Sequence, residues 1–182
     1  MKYLRLFLVV ALCCCGHFLV SAPAHGADAP FEALRIRREA AFVVAQPLDK
    51  AFPLFTPKGE ELWSDQWRPT YIFPKSGETQ ESMIFVTGPA NAERVIWRME
   101  IYDPAHGHVR YSRISPSNRY GVVEVECSTG GAGTKVKVTY EFTALSEAGN
   151  TFIREFTEKN YRAMIGEWKI AIEKYFLRAK SG

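Results

Sequence analysis

Two histidines and an aspartate, in the segment Asp103-Pro-Ala-His106-Gly-His108, are the residues whose types come closest to a metal site. Imidazole and carboxylate groups bind Zn²⁺, but a protein site usually supplies three or four ligands. The segment is rich in turn-forming residues, and no further cysteine or histidine lies near it in sequence. We therefore predict a hairpin turn here and no metal site.

Motifs for nucleophilic catalysis and for phosphate binding are also absent from the sequence. There is no Gly-x-Ser-x-Gly elbow, and the only histidines after residue 26 are the two in the turn segment. The glycine-rich stretch 130–133 lies between two predicted strands, whereas a phosphate loop leads into a helix. We predict no catalytic set and no cofactor.

Aromatic side chains form the grouping that predicts a binding site. Rings that surround one space, with few polar groups among them, are the usual lining of small-molecule sites. The alternative is that the aromatic side chains, which also include Phe73 and Tyr161, fill this space themselves as a packed core. We predict an open cavity with these ligand-binding residues: Trp63, Trp67, Phe85, Trp97, Tyr111, Arg113, Tyr140, Asn160, Met164 and Trp168.

Two of these residues are polar and fall on faces that the pattern predicts to be buried. Arg113 shares strand parity with Tyr111, and Asn160 falls between Phe156 and Met164 at helical spacing. Because an unpaired buried arginine or asparagine is costly, each needs a partner or a ligand group. Arg113 could face a ligand carboxylate, or its charged end could reach water at the cavity mouth.

The element that must position these residues is the last stretch of the chain, Asn150 to Arg178, whose apolar spacing predicts a single long helix. At about 1.5 Å per residue it would run roughly 40 Å, so it needs a broad apolar surface to lie on. Asn150 or Thr151 can cap its start. The apolar residues of its buried side are Ile153, Phe156, Tyr161, Met164, Ile165, Trp168, Ile172, Tyr175 and Phe176.

The segments before that helix predict one strand, two short helices and six strands. The first strand is Ala33–Ala45, and the second short helix follows Thr56 as its N-cap, with Glu60 and Glu61 in its first turn. We predict both carboxylates in solvent, although Glu60 could line an entrance. The six strands lie near Thr70–Phe73, Ser82–Thr87, Glu93–Tyr102, His108–Ile114, Tyr120–Cys127 and Lys135–Leu145.

Alternation of apolar and charged residues predicts which face of this antiparallel sheet is dry. Short turns rich in Gly and Pro join the strands, as hairpins require. Glu124 and Glu126 can sit opposite Lys135 and Lys137 across the hairpin at Gly130. The predicted inner residues are Val95, Trp97, Met99, Ile101, Val123, Val125, Cys127, Val136, Val138, Tyr140 and Phe142.

The order of these elements predicts an α+β helix-grip fold, β-α-α-β6-α, in which a curved seven-stranded antiparallel sheet wraps around a long C-terminal helix. The segment Ala51 to Pro69 with its two tryptophans, Trp97 ahead of Tyr102-Asp-Pro104, and Val138-Thr-Tyr140 resemble the START-like (SRPBCC) superfamily. That superfamily includes Bet v 1-like proteins, polyketide cyclases and lipid-transfer domains. The resemblance covers about Ala33 to Arg178 and implies no defined catalytic set.

Residues 1–26 have the layout of a signal peptide: basic Lys2 and Arg5, an apolar run to Val20, and small residues up to Gly26. An uncleaved anchor and lipid attachment at the cysteines 13–15 are the alternatives. Cleavage would leave a single START-like domain, residues 27–182, that is periplasmic or secreted. It would also remove two of 23 basic and none of 20 acidic residues, for a net charge of +1.

This near-neutral surface predicts no nucleic-acid partner. Cys127 would be the one cysteine left, which excludes an intrachain disulfide and predicts a small buried core residue.

Two functions follow as hypotheses. The first is a non-catalytic binding protein that encloses a hydrophobic or amphipathic molecule, such as a lipid, an isoprenoid or an aromatic metabolite, and that could contact a membrane transiently. The second is an enzyme of the polyketide cyclase or aromatase kind, which folds its substrate and uses Arg113, Tyr111 or Tyr140 in proton transfer. The missing acid, base and nucleophile set favours the first.

Overall fold

A computed structural model describes residues 31–89 and 94–181. The predicted signal peptide, residues 1–26, lies outside these residues. A 3₁₀ turn, Phe52–Phe55, separates the first two helices. The elements in chain order are β1 Arg35–Val44, α1 Leu48–Ala51, α2 Pro57–Glu60, β2 Thr70–Phe73, β3 Ile84–Thr87, β4 Val95–Asp103, β5 His108–Ser115, β6 Arg119–Gly130, β7 Gly133–Ala144, α3 Glu147–Glu155 and α4 Glu158–Ser181.

The seven strands form one antiparallel sheet in the order β1-β7-β6-β5-β4-β3-β2. The strands β2 to β7 follow one another as hairpins, and β1 pairs with β7 from Arg35 opposite Thr143 to Val44 opposite Thr134. This is the predicted helix-grip sheet, and the α+β assignment is confirmed. The apolar residues of its concave face pack with α4, whose Tyr161 and Ile172 are fully buried.

A β-bulge in β4 changes which residues face the core. Met99 pairs with Tyr111, but the next pair is Ile101 with Arg110, so β4 carries one extra residue. The extra residue shifts the alternation, and Tyr102 packs against the core with its ring 6.1 Å from that of Phe52. The predicted inward position of Ile101 is therefore wrong.

The register of β6 and β7 confirms one predicted charge pair and corrects the other. Glu126 lies opposite Lys137 and forms an ion pair with it. Glu124 lies opposite Thr139 instead of a lysine. Its carboxylate contacts His108 Nε2 at 2.8 Å, because the neighbouring strand β5 supplies the nearer basic side chain.

The predicted single terminal helix is wrong, since it is broken between Glu155 and Glu158. Each part has its own N-cap: Ser146 Oγ accepts from the Gly149 N–H at 3.2 Å, and Thr157 Oγ1 accepts from the Asn160 N–H at 3.2 Å. The long C-terminal helix is α4. Among the described residues no helix combines the length and the apolarity that crossing a bilayer requires.

The break also changes the predicted roles of two asparagines, Asn150 and Asn160. Asn160 is exposed, and its amide donates to the Glu155 carbonyl at 2.9 Å, so its predicted buried position is wrong. Asn150 does not cap a helix. It is buried and joins α3 to the segment before β1, accepting from the Leu34 N–H at 2.8 Å and donating to the Glu32 carbonyl at 3.0 Å.

We expect Asn150→Ala to lower the free energy of unfolding by about 1–3 kcal/mol, because it leaves partly buried backbone groups without partners. Asn160→Ala is the matched control. It removes one exposed hydrogen bond, so its effect should stay within about 0.5 kcal/mol. Urea denaturation with an unchanged m-value measures both, and equal losses would contradict the bridging role of Asn150.

Candidate ligand-binding site

Three aromatic side chains on neighbouring strands form the wall of the site on the sheet. Phe85 pairs with Trp97 across β3 and β4, and their rings stack at 5.6 Å with an angle of 8° between the planes. Tyr111 on β5 meets both rings edge-on at 6.2 Å. All three are buried because they share the inward parity of their strands.

The opposite wall comes from the turn after α2, where hydrogen bonds fix two tryptophans. Trp63 Nε1 donates to the Leu54 carbonyl at 2.8 Å, and Trp67 Nε1 donates to the Pro57 carbonyl at 2.9 Å. The Trp67 ring then meets Trp97 edge-on at 5.7 Å. Because both indole N–H groups are hydrogen-bonded, the two rings can face an apolar space without the free-energy cost of an unpaired buried donor.

The long helix α4 closes this space through Met164 and Trp168. The Trp168 ring lies 5.6 Å from Trp63 and 6.3 Å from Tyr140 on β7. Helix, turn and sheet therefore meet around one cavity. The residues that line it are Glu60, Trp63, Ser64, Trp67, Phe85, Trp97, Tyr111, Arg113, Val123, Val125, Tyr140, Met164 and Trp168.

The structure brings nine of the ten predicted site residues to this cavity, and Asn160 is the one that does not line it. Two other members of the aromatic set are elsewhere: Phe73 is 53% exposed, and Tyr161 is buried in the core with its hydroxyl on the Val138 carbonyl. The cavity volume is about 180 Å³, slightly more than the roughly 150 Å³ of an apolar cavity that admits benzene. The space therefore suits a molecule built on one ring.

Glu60 lines the cavity with Trp63 and Trp67, so its predicted position in solvent is wrong and the alternative, a place at the entrance, agrees with the geometry. Its carboxyl group has no hydrogen-bond or ion-pair partner among the described residues, and burial raises its pKa to about 8. At neutral pH the group is therefore mostly a neutral acid. The sequence carried a signal for this position of Glu60. Trp63 follows it by three residues, and residues three apart in a helical turn lie on the same side.

Arg113 lies inside the cavity wall, with its guanidinium carbon 4.4 Å from the centre of the Trp97 ring and 5.5 Å from that of Phe142. Gly121 is opposite it on β6 and makes the room, because a Cβ there would lie 3.1 Å from Arg113 Cγ and 2.6 Å from the Phe142 ring. No described carboxylate pairs with Arg113. Burial lowers its pKa, but from an ordinary value so high that the group stays charged.

Two tyrosines also contribute polar groups to the lining. The Tyr111 hydroxyl donates to the Phe55 carbonyl at 2.9 Å, whereas the Tyr140 hydroxyl has no hydrogen-bond partner among the described residues. Burial raises the pKa of Tyr140, and the Arg113 charge lowers it by a smaller amount. Both phenols are therefore neutral at physiological pH.

The two histidines of the turn segment lie apart from the cavity lining and contact different carboxylates. His106 Nδ1 is 2.7 Å from Asp103 Oδ2, and His108 contacts Glu124. Within residues 31–89 and 94–181 no three His, Cys, Asp or Glu side chains gather as a metal site would require. Cys127 is a buried core residue, as predicted, and burial raises the pKa of its thiol to about 12.

Solved structures share this architecture at low sequence identity. Norcoclaurine synthase from Thalictrum flavum, in complex with dopamine and hydroxybenzaldehyde, is 14% identical with a TM-score of 0.57, over 80% of this chain and 88% of that one. A protein from Rhizobium loti is 15% identical with a TM-score of 0.58, over 78% and 99%. Ara h 8.0201 is 16% identical with a TM-score of 0.55, over 80% and 99%.

No family model matches the chain, and no curated protein matches it by sequence. At these identities the structural likeness shows the fold, which is the Bet v 1-like helix-grip fold.

Proposed function

We propose that this chain, with its Bet v 1-like fold, is a binding protein that encloses a small hydrophobic or amphipathic molecule between its sheet and α4. The observation that carries the proposal is the cavity of about 180 Å³ lined by four tryptophans, a phenylalanine and two tyrosines. These rings offer apolar contact on several sides, as small-molecule sites do, and the polar atoms of Trp63, Trp67, Trp97 and Tyr111 are already hydrogen-bonded.

The size of the cavity favours an aromatic metabolite over a lipid or an isoprenoid. Pockets that bind drug-sized ligands measure roughly 300–1,000 Å³, so this cavity is small for a long acyl chain. A structural neighbour, norcoclaurine synthase, was solved with two aromatic molecules, dopamine and hydroxybenzaldehyde. An aromatic molecule in the cavity of this chain is consistent with that fold.

We also propose that the protein is exported, on the signal-peptide pattern of residues 1–26. Sequencing the N-terminus of the protein recovered from outside the cytoplasm tests this, since cleavage after Gly26 would leave Ala27 first. The absence of a nucleic-acid partner and the transient membrane contact stay predictions.

Glu60 gives specific support to an enzyme as the second candidate. A carboxyl group with a pKa near 8, beside the free hydroxyl of Tyr140, can exchange protons at neutral pH. Tyr111 fits that role less well than predicted, because its hydroxyl already donates to Phe55. Turnover of a cyclisable aromatic precursor that Glu60→Gln abolishes would favour the enzyme.

We expect Trp97→Ala to weaken binding of a neutral one-ring probe, benzyl alcohol, at least tenfold, because it removes a ring of the cavity wall. Glu124→Ala, on the opposite face of the sheet, should leave the affinity within twofold. Isothermal titration calorimetry measures both after circular dichroism has shown that they fold. Equal effects would mean that the probe binds elsewhere. Native mass spectrometry of the protein from its own host should show a retained small molecule.

A further inference from the structure

We infer that the ligand of this cavity is a one-ring aromatic acid whose carboxylate pairs with Arg113. The inference rests on the proposed function and names the class of molecule that the cavity takes. Three features carry it: a half-buried cation without a carboxylate partner among the described residues, a carboxyl group of the same lining that forms no ion pair with it, and a volume that admits one ring.

The first feature is the environment of the Arg113 guanidinium. The faces of Trp97 and Phe142 contact it at 4.4 and 5.5 Å, but among the described residues no acceptor takes its N–H groups. Aromatic rings stabilise the charge without accepting its five N–H donors. A carboxylate is the group that matches this planar fork, since it can accept two parallel hydrogen bonds. The free hydroxyl of Tyr140, on the same cavity, offers it a further donor.

The second feature is Glu60, the one acidic residue of the lining. It forms no ion pair with Arg113, and burial keeps it mostly protonated at neutral pH. The ionisable groups around it are the phenols of Tyr71, Tyr111 and Tyr140, from β2, β5 and β7, and all three stay neutral because burial raises their pKa values. Glu61, its neighbour, contacts Tyr71. The cavity lining therefore carries one positive charge.

This charge excludes the opposite class of ligand. An aromatic amine would bring a second cation into the same apolar space as Arg113, and it would require Glu60 to ionise against the cost of its burial. An aromatic acid instead supplies the missing anion. Its ring can lie against Trp63, Trp97 and Trp168, within a volume of about 180 Å³ that leaves no room for a long chain.

The test compares three probes with the same ring, benzoate, benzyl alcohol and benzylamine, by isothermal titration calorimetry at pH 6. We expect benzoate to bind at least tenfold more tightly than benzyl alcohol, and benzylamine to bind most weakly. In Arg113→Met, which keeps an apolar stem over Trp97, the preference for benzoate over benzyl alcohol should disappear. Arg110→Met is the matched control, because that arginine lies on the same strand and near Glu124 on the outer face.

The pH dependence gives a second readout, which tests whether benzoate binds at the lining that Glu60 shares with Arg113. Between pH 6 and pH 9 Glu60 ionises and adds a negative charge to the cavity lining that it shares with Arg113, so benzoate affinity should fall several-fold. Benzoate itself stays charged throughout, since carboxylic acids titrate near pH 4. Glu60→Gln should abolish this fall.

The outcomes separate the inference from the proposed function. If benzyl alcohol binds to the wild-type protein as tightly as benzoate does, the acid-specific inference is wrong and the binding function stands. If benzylamine binds most tightly, Glu60 is the recognition group and the inference is again wrong. If none of the three probes binds, both the inference and the one-ring cavity function fail. The ratio of the benzoate and benzyl alcohol affinities in the wild-type protein tests the inference even if Arg113→Met does not fold.

Discussion

Replacing Tyr161 with alanine is expected to lower the free energy of unfolding by about 3–5 kcal/mol, the usual cost of removing a large buried aromatic side chain. Tyr161 is fully buried at the start of α4, and its hydroxyl donates to the Val138 carbonyl at 2.6 Å. Its ring also lies 5.9 Å from Tyr140 and 5.5 Å from Phe156. It therefore anchors the long helix to strand β7.

Two further variants separate the ring of Tyr161 from its hydroxyl and from its helix. Tyr161→Phe keeps the ring and should cost only about 0.5–1.5 kcal/mol, the net value of one hydrogen bond. Ile170→Ala removes an apolar side chain from the same helix at a site that is 52% exposed, and should stay within about 0.5 kcal/mol. Guanidinium denaturation of the three variants measures the order of these stability losses. A loss in Tyr161→Ala no larger than that in Ile170→Ala would show that α4 does not depend on this anchor.

Gly59→Ala is the second substitution with a large expected effect, about 3 kcal/mol or more of lost stability, together with lost binding. A Cβ at Gly59 would lie 1.9 Å from the Pro53 carbonyl oxygen and 2.7 Å from Leu54 Cα. Both are backbone atoms, so the turn itself must move, and overpacking that forces such backbone shifts costs about 1–3 kcal/mol, and more in some cases. The same turn holds Glu60 and Trp63 against the cavity.

Gly166→Ala is the matched control, because it makes the same chemical change in the middle of α4. Nothing lies within 4 Å of a Cβ there, and alanine favours a helix over glycine by about 0.5–1 kcal/mol. The control should therefore raise the thermal midpoint while Gly59→Ala lowers it. Calorimetry with and without benzyl alcohol measures both effects. Equal shifts of the midpoint in the same direction would contradict the close approach at Gly59.

Satisfied polar atoms hold the aromatic residues of the cavity in place. The indole N–H groups of Trp63 and Trp67 donate to backbone carbonyls, that of Trp97 donates to Thr87 Oγ1 at 2.9 Å, and the hydroxyl of Tyr111 donates to Phe55. Collapse of the rings into the cavity would break these bonds. This is a physical reason for a space to persist where rings alone could have formed a packed core.

The sequence by itself determined the elements of this fold and most of its inner face. Strand β2 has the predicted bounds Thr70–Phe73, and Thr56 caps α2 as its position before Pro57 predicts. Alternation placed Trp97 and Tyr140 on the inner face, because side chains in a strand point to opposite sides of the sheet. These are local rules, which depend on neighbours a few residues away along the chain.

The tertiary structure alone decided the features that depend on register and on distant neighbours. The bulge in β4 turns Tyr102 inward, and the break between α3 and α4 exposes Asn160. Both interrupt the periodicity of an element, and the residue types alone do not show where the interruption falls. The raised pKa of Glu60 and the lack of a carboxylate partner for Arg113 among the described residues depend on which side chains other elements bring near them. Burial and pairing are properties of the space around a group, and only the folded chain defines that space.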